Sequence, residues 1–101
     1  MPRPRRHRIA IGGKRWTLEL GAKLPVDRWG DCSNPSSKNR RIRIGNARGM
    51  QWLDVLLHEL IHARWWALCE TEVTDFASEL SAVLLLLRND VIEAMEEEED
   101  D

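Results

Sequence analysis

The sequence predicts an α+β domain in which a small three-stranded sheet, antiparallel or mixed, packs on two helices. Apolar alternation of period two is confined to the stretch before Gly45, apolar residues at helical spacing are confined to the stretch after Gly49, and a Gly/Pro/Asn/Ser-rich segment lies between the early strands and the last one. With 101 residues the chain has room for one domain. That domain is expected over residues 1–95, with a disordered acidic tail over residues 96–101.

The elements follow in order. Ile9 and Ile11 share one face of a first strand, and Trp16, Leu18 and Leu20 share one face of a second. Gly12-Gly13 between them tolerates the positive φ of a two-residue turn, so the pair reads as a β-hairpin. From Gly21 to Asn39 the chain is punctuated by Pro25, Gly30, Asn34 and Pro35 and reads as loop. Arg41-Ile42-Arg43-Ile44 alternates again and predicts a third strand, isoleucines inward. Trp52, Val55, Leu56, Leu60 and Ile61 recur at helical spacing and predict a helix from about Met50 to about Trp66. A second helix is expected from near Thr71 into the 80s or low 90s. Its apolar face is centred near Val73, Phe76, Leu80 and Leu84.

Charge is strongly segregated. Residues 1–50 hold 13 Lys+Arg against 3 Asp+Glu, whereas residues 51–101 hold 2 against 14. Clustered arginines neutralise phosphates, so the first half suggests nucleic acid or an acidic partner. The 2 cysteines make no disulfide framework. No apolar h-region follows the N-terminal arginines, and the longest apolar run, Ala82 to Leu87, is too short to span a bilayer. A reduced, cytoplasmic domain with no membrane partner is expected.

The chemistry sits in the first helix as His58-Glu59-Leu60-Ile61-His62, an H-E-x-x-H arrangement. Residues four apart on a helix stack on one face, so both imidazoles can reach one zinc ion. Glu59 is one step round, beside the metal, where it can act as general base. Two buried neutral imidazoles with a carboxylate between them would be a costly way to fill a core. A catalytic zinc keeps three protein ligands and a water, and no histidine follows His62. Of the downstream acids, Glu72 borders the expected apolar face and is the first choice for third ligand. Glu79 is the second, Glu70 flanks the other side, and Asp75 points to solvent. Arg28, Arg64 or a backbone N–H remain open as stabilisers of an oxyanion. The paired Trp65-Trp66 after the motif is read as core filler, and Cys32 and Cys69 as structural thiols.

The stretch His58 to Leu80, HELIHARWWALCETEVTDFASEL, resembles the zincin metallopeptidases of the ImmA/IrrE type. In these an HExxH helix is followed by a Glu-x-Glu-Ala-x-x-Phe-Ala helix, matched here by Glu70 to Ala77 with Val73 in place of Ala. Trp29-Gly30-Asp31-Cys32, Ile42 and Ile44 ahead of the zinc helix also look like the SprT-like metallopeptidases, although their third histidine is missing. The whole resembles a short, phage-type minimal zincin. The resemblance implies a zinc-dependent metallopeptidase with His58, His62 and Glu72 on zinc and Glu59 as catalytic base. Its substrate would be a protein or peptide laid in extended form along an edge strand, expected to be the one carrying Ile42 and Ile44. The alternative is a zinc-stabilised, non-catalytic module that uses its Arg-rich half on nucleic acid or an acidic partner.

Overall fold

The structure, a computed structural model, describes residues 3–99. Four strands precede two helices: β1 (Arg5–Ile11), β2 (Lys14–Leu20), β3 (Gly30–Cys32), β4 (Arg41–Ile44), α1 (Met50–Arg64) and α2 (Glu70–Glu99). The sheet order is β1-β2-β4-β3. β1 pairs antiparallel with β2, β2 runs parallel to β4, and β4 pairs antiparallel with β3. The hairpin forms as its sequence requires, with Gly12 and Gly13 at φ 59° and 74°, both positive as a type I′ turn demands.

The sheet has four strands rather than three, and this moves its edge. β3 pairs Gly30, Asp31 and Cys32 with Ile44, Arg43 and Ile42, so β4 is an interior strand and β3 is the edge beside α1. A three-residue strand of Gly, Asp and Cys carries no apolar alternation, which is why its sequence reads as loop. What holds it is pairing and charge. Arg43 grips Asp31 through both its Nε (2.9 Å) and a terminal nitrogen, a bidentate geometry whose hydrogen bond raises the Arg43 pKa.

Trp16, Leu18 and Leu20 of β2, Ile42 and Ile44 of β4 and Ile9 and Ile11 of β1 turn one sheet face toward α1. There they pack with Trp52, Val55, Leu56, Leu60 and Ala63. Ile42 and Ile44 are fully buried. A second, smaller cluster joins the helices, with Leu57 and Ile61 of α1 against Val73, Ala77 and Leu80 of α2. α2 packs on α1 and touches no strand, so the layers are sheet, α1, then α2.

α2 begins at Glu70 and carries on through Glu99, so Glu96–Glu99 extend the helix where a tail without regular structure was expected. Asp100 and Asp101 lie outside the described residues. Glutamate is a good helix former, and this outweighs its poor match to a helix C-terminus here. No helix among the described residues is long and apolar enough to cross a membrane.

Gly30 fixes how closely β3 crosses α1. A Cβ there would meet Val55 Cγ1 at 2.8 Å, the Arg43 carbonyl oxygen at 3.2 Å and Glu59 Cγ at 3.2 Å. Gly30→Ala should therefore destabilise the protein by about 1–3 kcal/mol in urea unfolding. Gly13→Ala, which meets nothing within 4 Å and strains only its positive φ, should cost less.

Candidate metal centre

α1 ends at Arg64, and the chain reverses through Trp65–Cys69, with Trp65 N–H donating to the Ile61 carbonyl (2.8 Å) and Leu68 N–H to that of Trp65 (3.0 Å). α2 returns antiparallel along α1. Its level is set by Ile61 and Leu57 against Val73 and Ala77, and further along by Ser78 Oγ donating to Asp54 at 3.3 Å. Counting back from that contact brings the first residue of α2 level with His62.

Glu70 completes the cluster. Its Oε1 lies 2.7 Å from His58 Nε2 and its Oε2 3.0 Å from His62 Nε2, and the two Nε2 atoms are 3.1 Å apart. Among the described residues these three form a group able to hold a metal ion, with one donor atom from each within 4.8 Å of the others. Tetrahedral zinc with bonds of about 2.0–2.1 Å separates its ligand atoms by about 3.3 Å. The two imidazole nitrogens stand close to that spacing with one Glu70 oxygen against each, and two imidazoles with a carboxylate are a donor set zinc accepts.

The acid that meets the two imidazoles is Glu70. Glu72 and Glu79, expected as first and second choice, take no part in the cluster; all three are exposed, so it is helix rotation that separates them. The buried positions of α2 are Val73 (0% exposed), Ala77 (1%) and Ser81 (1%), whereas Phe76 is 41% exposed. The contact face is thus centred on small side chains, which let the helices approach, and not on the bulky Phe76. At about 100° per residue, Glu70 lies about 20° from Ala77 and so on that face, with Glu72 and Glu79 on the far side. The spacing Glu70-Val73-Ala77-Ser81 was the available signal. Large apolar residues masked it.

Glu59 is buried, 8% exposed, and its carboxyl is pushed up to about 7 by that burial, then by the nearby carboxylates of Asp31 and Glu70, with Arg28 opposing. Arg28 lines a cleft of about 330 Å³ with His58, Glu59 and Glu70. Arg64 instead stacks over Trp65 (5.4 Å) and approaches Gly12; of the two arginines weighed from sequence, only Arg28 reaches the cluster. A second cleft of about 460 Å³ is walled by Cys32, Trp66 and Leu68. Trp66 sets its edge toward His62 with ring centroids 6.2 Å apart. Trp65 and Trp66 are 50% and 46% exposed, so the pair is not core filler; α1 has ended and the turn carries both rings outward. Cys32 is half-buried and its thiol is pushed up to about 12 by desolvation, Glu59 and Asp31. Cys69 is exposed.

Compared with family models, curated proteins and solved structures, the chain matches none of them. The site therefore speaks through its geometry.

A raised carboxyl binds its proton more tightly in the folded chain than in the unfolded one. Stability owed to Glu59 is thus present below its ordinary value of 4.5 and lost as pH climbs to about 7. In chelator, urea unfolding should show stability falling by up to about 3 kcal/mol across that window, and Glu59→Gln should remove this part of the slope.

Proposed function

We propose that the chain is a zinc-dependent metallopeptidase whose metal is held by His58, His62 and Glu70. The observation that carries this reading is the meeting of those three donors beside one buried carboxyl, Glu59, under the free edge of β3. Bound there, zinc would supply a Lewis acid that activates water and polarises a carbonyl.

The chain's own residues do the rest. Glu59, buried beside the cluster, takes a proton from the attacking water and delivers it to the departing amine nitrogen as general base and then general acid. The free edge of β3 holds an extended peptide by main-chain hydrogen bonds, as one further strand. Arg28, at the rim of the same cleft, brings positive charge to the developing oxyanion. Trp66 and Leu68 give an apolar wall to one substrate side chain.

Zinc content and proteolysis of casein test this together. The wild-type chain should carry about one zinc and cleave. Glu59→Gln should keep the zinc and lose about 10²- to 10⁴-fold in turnover. Glu70→Ala should lose zinc, whereas Glu72→Ala and Glu79→Ala should retain it. A protein that needs zinc to fold yet never cleaves, with Glu59→Gln indistinguishable from wild type, would instead carry a structural metal site.

A further inference from the structure

α1 covers one face of the sheet, with α2 stacked behind it, and the other face carries no helix. The register gives the composition of that bare face. Arg8, Thr17 and Arg41 form one cross-strand row, and Arg6, Glu19, Arg43 and Asp31 the next. Beyond them Ala10 pairs with Arg15. The second row is internally balanced: Arg6 stands 3.9 Å from Glu19, and Arg43 grips Asp31. Among the described residues, Arg8, Arg15, Lys38, Arg40 and Arg41 make no ion pair. These five cations ring a concavity of about 890 Å³ on this face. Arg40 is fixed over it by hydrogen bonds to the carbonyls of Arg15 (3.0 Å) and Ser37 (3.2 Å).

We propose that this bare sheet face is a docking surface for the phosphate backbone of duplex nucleic acid. Four of the five unpaired cations are arginines, whose planar forks suit phosphate oxygens. Arg8 and Arg41, two strands apart, stand about 10 Å from one another, a spread that meets separate phosphates. The face carries no aromatic ring on which an unstacked base could lie, so a single strand finds charge but no platform. Only Ala10 and Thr17 project between the charges, which leaves little apolar surface to anchor an acidic protein segment. Among the described residues, the carboxylate-rich helix α2 touches α1 alone and makes no ion pair with this face. The proposal does not depend on the metal, since His58 and His62 project from α1 on the other side of the sheet.

Fluorescence anisotropy with a labelled 20-base-pair DNA duplex tests it on the full chain. With five cations engaged, log K should fall against log salt with a slope of about −4.5, a loss of a few hundred-fold between 50 and 200 mM. Arg8→Glu with Arg41→Glu should abolish binding, and the milder Arg8→Ala with Arg41→Ala should lower the slope by about 2. Lys23→Glu with Arg48→Glu changes net charge equally but lies away from the face, and should leave binding within about threefold; circular dichroism checks that each variant folds. No binding at 50 mM salt would overturn the proposal, as would equal losses in both charge-reversal pairs. Displacement of the duplex by poly-glutamate at equal charge concentration would overturn it in favour of an acidic protein partner.

Discussion

The close approach of α1 and α2 through small side chains is the constraint on which the site depends. Val73, Ala77 and Ser81 are nearly or fully buried, and none is large enough to hold the helices apart. Because they set the level and the rotation of α2, its first residue is brought opposite His62 with its carboxylate aimed at both imidazoles. A bulkier residue at Ala77 would separate the helices and take Glu70 away from its partners, with the ring and carboxylate chemistry unchanged. The meeting of the three donor side chains is therefore a packing property of two helices more than of the HExxH spacing alone.

Gly30 plays the matching part on the other side of α1. By letting β3 run against Val55 and the Glu59 stem it helps bury Glu59, and burial is the largest cause of that group's upward shift. The buried Glu59 and the outer edge of the sheet are thus set by one close contact. The core behind them is thin: two small clusters, joined only through α1. A metal bridging His58, His62 and Glu70 would tie the end of α1 to the start of α2, so its binding energy would also be folding energy.

Much of this was legible in the residues. Gly12-Gly13 declared the hairpin, Ile42 and Ile44 the inward face of β4, and His58 and His62 a shared face of α1. The fourth strand was not legible, because Gly30-Asp31-Cys32 owes its extended form to pairing with β4 and to the Arg43–Asp31 ion pair, both non-local. Glu70 was missed for a related reason. Hydrophobicity weights Phe76, but helix–helix contact selects the small side chains, and Phe76 lies about 100° round the helix from Ala77. The charge division of the sequence acquired meaning only in three dimensions. Basic residues crowd the bare face of the sheet and acidic ones the outermost helix, with α1 between them among the described residues.

The central claim is that two imidazoles and the Glu70 carboxylate together make a zinc site. X-ray absorption at the zinc edge of the loaded protein tests it most directly. The account predicts a four-coordinate shell of nitrogen and oxygen at about 2.0–2.1 Å with the multiple-scattering signature of two imidazoles, reduced in coordination or lost in Glu70→Ala and unchanged in Glu72→Ala. A sulfur shell near about 2.3 Å, which would assign the metal to Cys32 or Cys69, or a spectrum indifferent to Glu70, would contradict it.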